Sequence, residues 1–280
     1  MKNLFFAILT VLSLAASAQQ GVFQPGDYKD GIYDKENAVN RRFIPYTHLR
    51  EGDVTWEKRV WRDVDMREKI NQPLYYPVDY DNITSRMSMF QVLAKYILQG
   101  QVIAFNDEQF QIPLELSAIR DKLKKCDSAD QTSYTPEGEE VVVKIFQCDS
   151  LSILRQIRTF RLKEDWFFDK QKSVLEVRII GMGVFTYDDE KEALREQFWV
   201  YFPSIRPFFA KHEVFNTKND SERRTFEDIF WKRQFASTIT KETNVYGRNI
   251  NEYSRGIDAL LESDRIKMDI FRWEHDLWHF

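Results

Sequence analysis

The chain has 280 residues, with 40 Lys and Arg against 44 Asp and Glu; aromatic residues make up 15% of it and glycine only ten positions. A net charge of −4 without a clustered basic face argues against nucleic-acid binding, which needs such a face. The aromatic-rich, glycine-poor balance supplies much contact area per residue and few flexible loops, which fits a scaffold or binding protein better than an enzyme built on loops.

The first residues read as an export signal. Lys2 precedes an almost unbroken apolar run from Leu4 to Leu14, and Ala16-Ser17-Ala18 places small residues where signal peptidase requires them. Cleavage between Ala18 and Gln19 is expected, with residues 1–18 removed. The apolar run is too short to span a bilayer. Removal takes away one Lys and no acid, leaving 39 basic against 44 acidic residues. No cysteine stands near the cleavage point to carry a lipid, and no later stretch is apolar enough to cross a membrane. An exported, soluble product of roughly 260 residues follows, enough for one large core or two small ones.

Residues 19–52 hold few periodic apolar positions and scattered Gly, Pro, Asn and Asp. They are expected as an extended arm that orders only against the body or a partner, with residues 53–280 as a single domain. At the start of that domain, where the arm joins it, runs WEKRVWRDVDMREKINQPLYYP, residues 56–77, mixing Trp, Tyr and Pro with many charges. A helix is expected next, capped by Thr84, with Met87, Phe90, Leu93, Ala94, Ile97 and Leu98 on its apolar face and Gly100 as its stop. VIAF and QFQI around Asn106-Asp107 predict a hairpin, 117–125 a short helix, and 127–139 a polar loop.

The middle of the chain is rich in β-branched and aromatic residues at 141–146, 159–168, 173–187 and 195–202, separated in places by polar turns such as Asp169-Lys170-Gln171-Lys172. Consecutive hairpins make this sheet mainly antiparallel. Helices are expected again at 221–236 and 258–278. The fold class is α+β, an antiparallel sheet of about residues 141–202 flanked by helices before and after.

Few positions carry a chemical signature. Cys126 and Cys148 would persist as a disulfide in an exported protein, worth about 3 kcal/mol in the chain-entropy account; two free thiols are the alternative. Each opens a Cys-Asp-Ser run, through Ser128 before Ala129 and Ser150 before Leu151. These runs look like a short O-glycosylation signal of exported bacterial proteins. The alternative is turn or helix capping, which LSILRQI after Ser150 favours at that site.

In RWEHDLWHF, His275 and His279 are four apart and share one helix face, the spacing of zinc proteases. Asp276 stands where that pattern has Glu, and only His48 and His212 remain as further histidines. Phe271, Trp273, Leu277, Trp278 and Phe280 around them read as a helix packing on a core or a partner, the preferred reading. Glu164-Asp165 lies on a strand and Asp188-Asp189-Glu190 in a turn; a hydrolytic pair is a matter of distance. Gly181-Met182-Gly183 lacks the third glycine of a dinucleotide loop and reads as a bulge. No P-loop or Gly-X-Ser-X-Gly is present, and no catalytic or cofactor-binding residue is assigned.

KRVWRDVDMREKINQPLYYP, with the export signal before it and FRWEHDLW near the end, resembles the GldN/PorN family of gliding-motility and type IX secretion proteins of the Bacteroidetes. The resemblance covers nearly the whole mature chain and is carried by the Trp-Arg-X-X-Asp and Arg-Glu-Lys-X-Asn-X-Pro runs; Asp63 departs from it, where an apolar residue is expected. It implies a non-enzymatic periplasmic ring component without a cofactor, held to the inner face of the outer membrane through a GldK/PorK-type lipoprotein and close to peptidoglycan. It further implies contact with neighbouring copies and with the periplasmic part of a GldM/PorM-type protein, coupling the GldL–GldM motor to export. In those terms Trp56, Trp61, Tyr75, Tyr76, Trp273 and Trp278 are interface anchors, and Arg59, Arg62 and Arg67 form interface ion pairs. The same aromatics serve equally as core. A ring needs heterologous contacts, and an extended arm suits β-addition or groove binding. The alternative is a stand-alone periplasmic cell-wall glycan hydrolase or metal-dependent enzyme using a carboxylate pair or His275 and His279.

Overall fold

A computed structural model describes residues 40–78, 86–134, 140–150, 152–188, 193–216, 219 and 221–277, and for 124–152 the backbone alone. By internal contacts the chain divides into Met1–Asn37, outside the described residues, and a unit spanning Ala38–Phe280. The expected export signal with its Ala18–Gln19 cleavage site lies outside the described residues, as do Thr84, Trp278 and His279.

After a 3-10 turn at Glu51–Asp53 come β1 (Val54–Asp65), α1 (Gln72–Tyr75), α2 (Met89–Leu98), β2 (Ala104–Phe105), α3 (Leu116–Leu123), β3 (Lys124–Tyr134) and β4 (Glu140–Ser150). A second 3-10 turn, Ser152–Gln156, leads to β5 (Ile157–Asp169), β6 (Val174–Asp188), β7 (Ala193–Tyr201), α4 (Phe202–Phe209), β8 (Glu213–Val214) and β9 (Arg224–Thr225). α5 (Phe226–Trp231), β10 (Thr238–Glu242), α6 (Ile250–Tyr253) and α7 (Ile257–Asp276) complete the order. Six strands form one antiparallel sheet in the order β10-β1-β5-β6-β7-β2. The α+β class is as expected.

The sheet draws on a different set of segments than expected. β1, β2 and β10 join it from outside 141–202, whereas β4 pairs only with β3 in a separate two-stranded ribbon. Residues 127–134, expected as loop, are strand because the apolar run of β4 offers them a ladder; the register sets Cys126 opposite Cys148. α2 begins later than expected, at Met89, where Ser88 and Gln91 form a reciprocal capping box. It stops as expected at Gly100, whose φ of 70° suits glycine. The helix expected over 221–236 shrinks to α5, entered through a Thr225–Asp228 capping box and followed by Arg233 at a φ of 52°. In place of a helix starting at Ser150 there is the 3-10 turn.

Alternation along β1 sends its side chains to two different environments. On one side Val64, Phe160, Leu162, Met182, Val184, Phe198 and Val200 pack against α2, α4 and α5 in the main core. Val60 on the same side joins Ile239, Ile250, Ile266 and Ile270 beneath α7, with Trp56 and Trp166 at the border. On the opposite side Trp61, Phe185 and Trp199 form a smaller cluster with Phe105 and Phe110. Cross-strand charge pairs hold the β1–β5 register there: Arg59 faces Asp165 and Asp63 faces Arg161, each joined by two hydrogen bonds of 2.5–2.8 Å. Asp63, the departure from the family pattern, thus has a partner. The bulge expected at Gly181-Met182-Gly183 lies instead just before it: those three residues pair in register with β5, and the shift between Lys163–Gly181 and Glu164–Ile179 leaves Ile180 as the extra residue. A Cβ on Gly181 would come within 2.5 Å of the Phe110 ring, and one on Gly183 within 2.8 Å of Trp199. Glycine therefore makes room for the aromatic cluster.

Candidate functional site

Residues 41–47, part of the expected arm, sit against the body as a peptide would sit in a groove. Among the described residues, 41–49 make no backbone–backbone hydrogen bond; side chains of the body hold the segment instead. The Arg206 guanidinium donates to the Ile44 carbonyl (2.7 Å) and Arg178 to the Thr47 carbonyl (2.7 Å). Lys172 donates to the Thr47 hydroxyl (3.0 Å), and Arg41 donates to the Asp228 carboxylate (2.7 Å). The Tyr46 ring lies beside Trp231, 6.1 Å between centroids at 22°, with Arg206 at 4.0 Å and Arg178 at 5.1 Å from its centre.

Arg206 is the centre of this seat. Helix α4 carries it into the interior, where it is almost fully enclosed and bonds Glu227 Oε1 at 2.5 and 2.8 Å. Such a pair holds only when the geometry is good, because both charges have left water. Burial raises the Glu227 carboxyl above its ordinary range, against the pull of Arg206. Burial likewise raises the Tyr46 phenol. A cleft of about 330 Å³ remains between the segment and the body, lined by Tyr46, Lys172, Arg178, Arg206, Glu227 and Arg233 among others.

Arg233 also reaches a deeper network. Glu164, fully enclosed, accepts from Arg62 (2.9 Å), from both Arg233 nitrogens (3.0 and 3.1 Å) and from the Trp166 indole (3.1 Å). Burial lowers Arg62, while Glu164 pulls it up. Glu164 and Asp165, adjacent in sequence, thus face opposite sides of the sheet, and each is engaged by arginine. Such carboxylates are not placed as a convergent acid/base pair. Asp189 and Glu190 lie outside the described residues.

The anchor residues of the sequence fall into place around this body. Trp56 stacks on Trp273, 4.4 Å between centroids at 16°, and Trp273 meets Phe168 edge-on. Trp61 is buried and donates its indole N–H to Glu108 (2.8 Å). Arg59 and Arg62 are held by Asp165 and Glu164, Arg67 by Asp65 at 2.5 Å while staying largely exposed. Tyr75 packs at the margin of the main core, and Tyr76 beside it is exposed. His275 lies 3.8 Å from Asp276, and among the described residues no group of three or more His, Cys, Asp or Glu side chains is placed to hold a metal. No described helix is long and apolar enough to cross a membrane.

Sequence reasoning did not single out Arg178, Arg206, Glu227 or the segment Arg41–Thr47. Their available signal was slight: RRFIPYTH alternates cationic and aromatic residues inside an otherwise featureless arm, and Arg206 stands between Pro203 and Pro207. The described geometry presents charges and aromatic rings that are paired with one another within the chain. Over residues 49–279 the sequence matches the family described as gliding motility associated protein GldN. The chain belongs to the GldN family. No curated protein matches it. As a GldN-family protein it is a component of the gliding-motility and type IX secretion machinery, in a family not known for enzymes. The matched region takes in β1, with its paired charges, and ends within the C-terminal aromatic run.

Proposed function

We propose that this GldN-family protein is a non-enzymatic ring subunit of the type IX secretion machinery in the periplasm. It is held under the outer membrane by a GldK/PorK-type lipoprotein, near peptidoglycan, and meets the periplasmic part of a GldM/PorM-type protein. Through those contacts it couples the GldL–GldM motor to protein export. The observation that carries this reading is the family match across nearly the whole described body. The geometry supports it: the buried Arg62 and Arg206 are paired with Glu164 and Glu227 inside the chain, while Tyr76 and the outer side of α7 present large apolar side chains to solvent. Unpaired apolar surface of this kind marks interaction sites.

The test is co-expression with a GldK/PorK-type lipoprotein followed by electron microscopy of the purified material. Large closed rings containing both chains are expected, with no hydrolysis of peptidoglycan by the purified protein. A monodisperse monomer in the presence of the lipoprotein, together with glycan cleavage or a chelator-sensitive activity, would overturn the reading.

A further inference from the structure

The seat of residues 41–47 holds its occupant imperfectly. Four cations line the cleft beside the segment: Lys172, Arg178, Arg206 and Arg233. Three of them are paired with carboxylates of the body, Lys172 with Glu176, Arg206 with Glu227 and Arg233 with Glu164. Arg178 has no such pairing among the described residues. It meets the Thr47 carbonyl (2.7 Å), the Thr47 hydroxyl (3.4 Å) and the rings of Tyr46 and Phe167, whose centres each lie 5.1 Å away. Its Nε is enclosed and has no hydrogen-bond partner there, although buried donors are ordinarily satisfied. The second carboxylate oxygen of Glu227, Oε2, is likewise enclosed without a partner.

The fork of Arg178 is therefore half used, and two arginines of the same sheet show what fills such a fork. Arg59 and Arg161 each donate Nε and Nη2 to the two oxygens of one carboxylate, Asp165 and Asp63 respectively, at 2.5–2.8 Å. Arg178 instead spends Nη2 on the single oxygen of a carbonyl. A carboxylate in place of that carbonyl would take Nε and Nη2 together, the side-on geometry that makes such pairs strong. Lys172, 3.0 Å from the Thr47 hydroxyl, adds a second cation at the same point. Beyond the seat, His48 and Leu49 make no hydrogen bond among the described residues, so the segment can lift without breaking into the body. We infer that the seat is a binding site for an extended peptide with a carboxylate at the position of the Thr47 carbonyl. Such a peptide sets an aromatic ring in the Tyr46 slot and displaces residues 41–47. Its carboxylate is either its own C-terminus or an acidic side chain at that position. The inference rests on the seat and not on the ring.

The experiment uses the whole mature protein carrying Tyr46→Ala, which takes the tethered ring out of its slot, and peptides labelled at the N-terminus. These are FIPYT with a free C-terminal carboxylate, the same peptide as its C-terminal amide, and FIPYD as the amide. Fluorescence anisotropy is expected to show one of the two acidic peptides binding at least about tenfold more tightly than the neutral amide. Which of them does so separates a terminal carboxylate from a side-chain one. Arg178→Lys keeps the charge and loses the fork, and is expected to remove most of the difference while circular dichroism stays native. On the parent protein the tighter peptide, which trypsin does not cut, should speed cleavage after Arg41 and Arg42 about tenfold by displacing the segment. Equal binding of acidic and neutral peptides, or no binding, overturns the inference. So does a preference undiminished by Arg178→Lys, or binding that leaves the cleavage rate unchanged. Ring formation with the lipoprotein does not depend on any of these results, so the two readings fail separately.

Discussion

Glu164 shows how a residue that looks chemical in sequence becomes structural in the fold. Beside Asp165 it has the appearance of an acid pair, but strand alternation turns the two carboxylates to opposite sides of the sheet, where Arg62 and Arg233 claim one and Arg59 the other. Glu164→Gln keeps the shape and removes the charge, leaving Arg62 enclosed without its counter-ion. A loss of about 3 kcal/mol is expected, read from the denaturant midpoint at unchanged slope. His212 offers a test by pH. Burial, with Lys95 and Lys211 adding to it, lowers its ring from 6.5 to about 4, and Tyr96 meets it at 3.0 Å. Between those values the unfolded chain binds more protons than the folded one, so the contribution of the neutral ring is complete above 6.5 and is lost as pH falls towards 4. His212→Gln should therefore lose less stability than the parent between pH 7 and pH 5, measured by urea midpoints at both.

At the scale of elements, the seated segment 41–47 depends on cations reading its carbonyls. Arg206→Met retains the hydrophobic stem and removes the bonds to Ile44 and Glu227. Trypsin should then cut after Arg41 and Arg42 about tenfold faster while the circular dichroism of the body stays native; an unchanged rate would show that Arg206 does not hold the segment. The same scale explains where sequence reading succeeded. β5, β6 and β7 were legible because each is dense in β-branched and aromatic residues and polar turns separate some of them, α7 because its buried Ile266 and Ile270 recur at helical spacing, and Asp169 accepts from Gln171 N–H at 2.8 Å in the expected turn. β1 was not, because one side of that strand bears Arg59, Trp61 and Asp63 and the other includes the buried Arg62. Its alternation separates two kinds of partnered residue, not apolar from polar. β3 was read as loop because a polar strand becomes visible only through the strand that pairs with it.

For the molecule as a whole, β1 lies between β10 and β5, so this side of the sheet joins strands from near both ends of the described chain. A protein ending at Ala236 would lack β10 and α7, expose the edge of β1 and uncover Val60 and Trp56. It is expected to lose the cooperative thermal transition of the parent, while a transition that persists would mean that the C-terminal elements are peripheral. Local patterns in the amino acids were sufficient for the α+β class, the β5–β6–β7 meander, the long last helix and the family, because periodicity and motif spacing are properties of neighbouring residues. The partnering of β1 with β10, the separation of the β3–β4 ribbon, the seat of residues 41–47 on Arg206 and the burial of Glu164 were settled by tertiary structure. Each depends on residues some 100 or more positions apart, or on a choice between equally good ladders, and nothing within a short window records which distant strand or charge will arrive.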